Sequence, residues 1–180
     1  MPRLIFVFVL LAGCAFASEP LGVPNFHQVD EHLYRGAQPS EGGFRNLAKL
    51  GVKTVIDLRA PGDQERDGEE RHVTAAGMKY IHLGLDGYHA PSPDQIARLL
   101  ETIDHQSGPV FIHCRRGADR TGTVVACYRI ARQDWSNEKA LAEAKEFGMS
   151  HSEQSMQDFV RHFRSVMTGI SAQAIPAAAE

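Results

Sequence analysis

Between residues 109 and 113 the chain reads Pro-Val-Phe-Ile-His, apolar without the polar alternation of a strand that has one face in water. A run of this kind is a strand buried on both faces, and such strands belong to parallel sheets covered by helices. Residues 54–58 (Thr-Val-Ile-Asp-Leu) and 79–83 (Lys-Tyr-Ile-His-Leu) fit the same sheet. A fourth strand signal at 32–35 ends in Gly36-Ala37-Gln38-Pro39. Helical patterns fall between these runs. Ser40 caps a helix carrying Phe44, Leu47, Ala48 and Leu50, closed by Gly51. A charged, Gly-containing loop at 61–70 leads into a helix ending at Gly77. Ser92 and Pro93 supply the N-cap and first-turn proline of a helix with Ile96, Leu99, Leu100 and Ile103 on one face. Helices at about 121–132, from Ser136 to Gly148 and at about 152–168 complete the pattern. The alternation predicts an α/β fold with a mostly parallel central sheet flanked by helices.

The N-terminus stands outside this pattern. Arg3 precedes an unbroken apolar run over residues 4–12, too short for a helix to cross a bilayer core of about 30 Å and suited to an export signal. Two processing sites fit. Ala15-Phe16-Ala17 ends a signal peptide of residues 1–17, with Ser18 as the new terminus. Leu11-Ala12-Gly13-Cys14 resembles a bacterial lipobox, ending the signal at residue 13 and leaving a lipid on Cys14. Either way the protein is expected to be exported: periplasmic, lipid-anchored in the cell envelope, or secreted. The remaining organisation is an extended lead-in (18–27), one domain (28–168) and a flexible Ala-rich tail (169–180). A net charge of −3 gives no global basic field, which argues against a nucleic-acid partner. Membrane contact is expected only through Cys14.

The chemistry is concentrated in residues 113–122, His-Cys-Arg-Arg-Gly-Ala-Asp-Arg-Thr-Gly. A loop wound around a helix N-terminus points several backbone N–H groups at one spot, which makes an anion site. A cysteine at its mouth feels those amides and the helix dipole, so the Cys114 thiol should ionise readily. The loop then brings round Arg120, whose planar guanidinium grips two phosphate oxygens. Nucleophile, anion cradle and clamp thus share one decapeptide, as phosphoryl transfer by positioning and charge stabilisation requires.

The pattern His-Cys-x5-Arg-Thr-Gly resembles the signature of cysteine-dependent protein tyrosine and dual-specificity phosphatases. Residues 34–39, 55–59 and 90–92 are similar to segments of compact bacterial dual-specificity-like members, so the likeness covers residues 28–168. The resemblance implies that Cys114 attacks phosphorus and becomes a phosphocysteine. Arg120 and the amides of Arg115, Arg116, Gly117, Ala118 and Asp119 would hold the phosphoryl oxygens. The Thr121 hydroxyl would ease departure of the sulfur, and His113 would order the loop. Gly117 and Gly122 are read as backbone residues, permitting tight turns and close approach to phosphate. For the general acid the family places an Asp on a separate loop, matching Asp86. Asp119 is the rival, because Gly-x-Asp-Arg-Thr is similar to the loop of myotubularin lipid phosphatases.

The expected substrate is a phosphorylated protein or a small phosphoester or lipid. The first reading is a phosphotyrosine or dual-specificity phosphatase, and the alternative a phosphoinositide or inositol-phosphate phosphatase. An inactive phosphate-binding module is disfavoured by the complete set of reacting groups, and a rhodanese-type sulfurtransferase by the Arg-Thr-Gly ending. No cofactor is expected. The nine histidines form no His-x-x-x-His pair and are read as scattered, so no metal site is expected. Asp57 and Arg59 are read as an ion pair and Cys127 as a buried core thiol, with a protective Cys114–Cys127 disulfide as the lesser alternative.

Overall fold

The computed structural model describes residues 22–60 and 68–164. The export signal, Cys14, residues 61–67 and the tail at 169–180 lie outside the described residues.

Eleven elements follow in chain order: β1 (His27–Gln28), β2 (Leu33–Ala37), α1 (Glu41–Lys49), β3 (Thr54–Asp57), α2 (Glu69–Ala75), β4 (Lys79–His82), α3 (Pro93–Asp104), β5 (Val110–Cys114), α4 (Asp119–Gln133), α5 (Asn137–Glu146) and α6 (Gln154–His162). The sheet order is β1-β2-β5-β3-β4. β2, β5, β3 and β4 are parallel, and only the two-residue β1 is antiparallel to its neighbour. β5 therefore lies in the middle, paired on both edges, where its apolar run has no access to water.

Strand alternation divides the core into two layers. Val55 and Phe111 face Phe44, Leu47 and Val73 of α1 and α2. Ile56, Val110 and Ile112 face Ile96, Leu99 and Ile103 of α3 and Val124, Val125 and Cys127 of α4. A smaller cluster of Ala126, Ala140, Leu141, Ala144 and Val160 joins α4 to α5 and α6. Burial of one such aliphatic side chain contributes about 1.5–3 kcal/mol. Ser40, Ser92 and Ser136 each cap the helix they precede, and Ser92 with Gln95 forms a full capping box.

Several boundaries differ from those the sequence predicts. α4 begins at Asp119, inside the signature, so the loop is shorter than its polarity implies. α6 ends at His162, with Phe163 already extended. The lead-in is tied to the body at two points: Val23 is buried with Phe44 and Leu47, and His27 belongs to β1. No helix of the described residues is long and apolar enough to cross a membrane.

Candidate active site

β5 delivers Cys114 to the C-terminal edge of the sheet, and the chain turns at once into α4. That is where ligands bind in open α/β sheets. The turn depends on Gly117, whose φ of +69° is left-handed and whose missing Cβ would fall 2.4 Å from the Gly36 carbonyl. Gly117 is thus needed for its approach to β2. Gly122 also has a packing role: a Cβ there would meet Met149 and Ala144, so it serves the contact between α4 and α5.

Cys114 is 2 % exposed. Burial alone would raise its thiol pKa, but the net direction is downward. The Thr121 hydroxyl and N–H, the Arg120 charge and the Gly117 N–H together outweigh desolvation. The Thr121 hydroxyl is buried with no hydrogen-bond partner among the described residues, which leaves it available to a departing sulfur. A cleft of about 610 Å³ opens above, lined by Cys114, Arg115, Arg116, Asp119, Arg120, Ala60, Gly87, Tyr88 and Glu153. Ala118 precedes α4 at the cradle's base and is buried.

The two acid candidates sit differently. Asp119 lines the cleft with both oxygens engaged, Oδ1 accepting from the Ser150 N–H at 2.8 Å and Oδ2 from Arg116 at 2.7 Å. Asp86 is exposed, and its Oδ1 alone accepts from the Tyr88 and His89 N–H groups and His89 Nδ1. Those bonds hold its carboxyl below the usual range. The next residue, Gly87, brings its backbone over the clamp: a Cβ there would stand 3.9 Å from Arg120 Cζ.

Behind the thiol lies a buried charge cluster that the sequence marks only through Asp57, Arg59 and His113. The Arg59 guanidinium bonds Asp57 Oδ2 at 2.7 Å and Glu69 Oε2 at 2.9 Å. His113 Nε2 lies 2.8 Å from Glu69 Oε1, its Nδ1 3.3 Å from the Cys114 carbonyl. Burial opposes a charge on this ring, but Glu69 and Asp57 outweigh it and raise the pKa. His113 thus ties the end of β5 to Glu69. Asp57, Glu69 and His113 are close enough to ligate a metal, but Arg59 already lies against both carboxylates and supplies the positive charge there. Arg59→Met leaves two buried carboxylates without their guanidinium. It is expected to destabilise the fold by about 3–5 kcal/mol, read as a lower urea midpoint at unchanged slope.

Cys127 is buried and free, and burial raises its pKa. It lies eight residues along α4 from Asp119, about 12 Å down the helix axis. Cys114 and Cys127 are both free thiols in this structure and share one core cluster.

Sequence reading missed Glu69, Asn25, Arg35 and Tyr88. Arg35 had a signal: it shares the inward face of β2 with Leu33 and Ala37, where a charge is out of place. Glu69 had none, lying in a charged stretch with nothing to separate it from Glu70.

An ionisable cysteine at the mouth of a backbone anion cradle, with an arginine closing the loop, defines the cysteine-dependent phosphatases. A family model described as "DSP-PTPase phosphatase fused to NAD+ Kinase" matches residues 20–162, and the chain belongs to that phosphatase family. It is 33% identical over 144 residues to the Dictyostelium discoideum protein DG1060, named a probable tyrosine-protein phosphatase, covering 77% of this chain and 85% of the relative. It is 30% identical to the dual specificity protein phosphatase TpbA of Pseudomonas aeruginosa over 78% of this chain, but spans only 62% of that relative's length. The solved core catalytic domain of the S. cerevisiae PP-IP phosphatase SIW14, in complex with citrate, superposes with a TM-score of 0.71 at 26% identity. The match covers 80% of this chain and 88% of that one.

Proposed function

We propose that this protein hydrolyses phosphomonoesters through a phosphocysteine on Cys114. The observation that carries this is the placement of Cys114 at the end of β5, where it lines one cleft together with Arg115, Arg116 and Arg120. In the first step Cys114 Sγ attacks phosphorus and the bond to the leaving oxygen breaks. Arg120 and the loop N–H groups from Arg115 to Arg120 hold the three equatorial oxygens, with Arg115 and Arg116 adding charge at the rim. In the second step water attacks the phosphocysteine, and the Thr121 hydroxyl donates to the departing sulfur.

Asp86 is the general acid in this reading. Its Oδ2 makes none of the bonds that hold the loop, and Gly87 beside it overhangs Arg120. A bound phosphate dianion raises its affinity for a proton. Asp119, with both oxygens engaged, positions Arg116 and the Ser150 loop.

Tyr88, 81% exposed at the cleft rim, favours an aryl phosphate such as phosphotyrosine, since its ring offers a face for stacking. A second reading, an inositol phosphate or diphosphate, is favoured by Arg115, Arg116 and the breadth of the cleft. It gains support from the likeness to SIW14 and to the inositol diphosphatase DSP2 of Oryza sativa subsp. japonica, 28% identical over 84% of this chain. The proposal includes export by the N-terminal segment, checked by the mass of the mature terminus, which separates Ser18 from lipidated Cys14.

The deciding experiment is p-nitrophenyl phosphate hydrolysis by the reduced full chain with EDTA and with vanadate, followed by a phosphotyrosine peptide, a phosphoserine peptide and an inositol polyphosphate. Turnover that survives EDTA and stops with vanadate is expected. Inactivity of the reduced, folded chain on all substrates would sink the proposal.

A further inference from the structure

Three successive carbonyls of the signature loop are held by residues that lie outside the signature. The Arg115 carbonyl accepts from the Gln38 N–H at 3.3 Å. The Arg116 carbonyl accepts from Asn25 Nδ2 at 3.4 Å. The Gly117 carbonyl accepts from Asn25 Nδ2 at 3.1 Å and from Arg35 Nη2 at 2.8 Å. In a trans peptide the N–H points opposite to the C=O. Anchoring these carbonyls to β2 and the residues on either side of it therefore turns the N–H groups of Arg116, Gly117 and Ala118 the other way.

Arg35 is a costly way to hold one carbonyl. It is 1% exposed, and its Nε and Nη1 have no hydrogen-bond partner among the described residues. Its guanidinium sits 4.3 Å over the Phe147 ring instead of against a carboxylate. Any neutral donor could have reached the Gly117 oxygen, without the cost of burying a charge. A cation fixed there makes sense beside an anion; Glu143 on that side is already paired with Arg129, which leaves the thiolate and the substrate phosphoryl group.

We propose that Arg35 and Asn25 are positioning residues for phosphoryl transfer, aiming the amides of the signature loop while Arg35 places a buried positive charge behind the nucleophile. The proposal rests on the reading of Cys114 as nucleophile. The charged groups facing Arg35 are Glu143 and Arg129, with His27 nearby. Those around the thiol are Arg120, Arg115, Arg116, Asp119 and Glu153 in the cleft, and His113, Glu69, Asp57 and Arg59 behind it. Arg35 is the buried cation of this set that lacks a bonded carboxylate among the described residues.

The test uses the reduced full chain as wild type, Arg35→Met, Arg35→Lys and Asn25→Gly. Asn25 has a φ of +53°, so glycine removes its amide without straining the backbone. Two readouts do not depend on turnover: the pH profile of Cys114 alkylation by iodoacetamide, followed by peptide mapping, and the affinity for inorganic phosphate. Arg35→Met should move the alkylation profile to higher pH and weaken phosphate binding about tenfold. Arg35→Lys should restore the profile more fully than the affinity, because it returns charge without the fixed geometry. Asn25→Gly should weaken phosphate binding with little change in the profile. If Arg35→Met does not fold, Arg35→Lys and Asn25→Gly decide. Folded variants with wild-type profiles and wild-type phosphate affinity overturn the proposal. A wild type that binds phosphate but turns over no phosphomonoester instead sinks the catalytic reading, and the amide-aiming role is still judged by binding.

Discussion

Cys114→Ser is expected to lower kcat/KM for phosphomonoesters by about four orders of magnitude or more while leaving inorganic phosphate binding intact or tighter. The cradle depends on Gly117, on Arg120 and on the contacts to Gln38, Asn25 and Arg35, none of which the substitution touches. What disappears is the thiolate. A serine hydroxyl in the same field keeps its proton, so no nucleophile forms, and a negative charge that repels the incoming dianion is gone. The pH profile carries the same information. A thiol with a lowered pKa is nucleophilic above that pKa and inert below it. Wild-type kcat/KM should therefore fall on acidification with a limb below the pH at which an ordinary thiol ionises, and iodoacetamide inactivation should show the same limb. Steady-state kinetics with p-nitrophenyl phosphate and phosphate titration calorimetry check both parts. A Cys114→Ser protein that retains appreciable turnover would move the nucleophile elsewhere.

The parts of this molecule that were legible in its sequence are those whose cause is local. Ser40, Ser92 and Ser136 cap helices by bonding N–H groups three residues on, and the sequence contains both partners of each bond. The central position of β5 follows from its lack of alternation. The signature loop was legible because nucleophile, cradle and clamp are consecutive. Tertiary causes were not. Glu69 matters because α2 brings it beneath His113, 44 positions later in the chain, and nothing near residue 69 announces that partner. Asn25 and Arg35 reach Gly117 across 92 and 82 residues. β1 is two exposed residues paired to β2, with no apolar pattern to read. The packing role of Gly122 was hidden for the same reason: its neighbour is α5, which sequence spacing cannot place against α4. The buried polar residues hold the exceptions. A charged side chain on an apolar strand face, as at Arg35 and Asp57, is a local signal of a distant partner, although it does not say which one.

Asp86→Asn is expected to lower kcat about 10²–10³-fold for substrates with poor leaving groups and far less for p-nitrophenyl phosphate. A general acid matters in proportion to the charge it neutralises on the departing oxygen. Nitrophenolate leaves without help; the phenolate of tyrosine or an alkoxide does not. Plotting log kcat against leaving-group pKa should give a shallow slope for wild type and a steep one for Asp86→Asn. The alkaline limb of the wild-type profile, where the acid has lost its proton, should vanish in the variant. Asp119→Asn makes the contrast. Its amide can still accept from the Ser150 N–H but no longer pairs with Arg116, so the change should appear mainly in KM, equally for good and poor leaving groups. If Asp119→Asn instead steepens the slope and Asp86→Asn does not, the acid is the residue beside the clamp arginine. The exposed loop at residues 86–89 would then bind substrate without protonating it. The slope separates these cases because it reads charge at the leaving oxygen, which a residue that only shapes the cleft leaves unchanged.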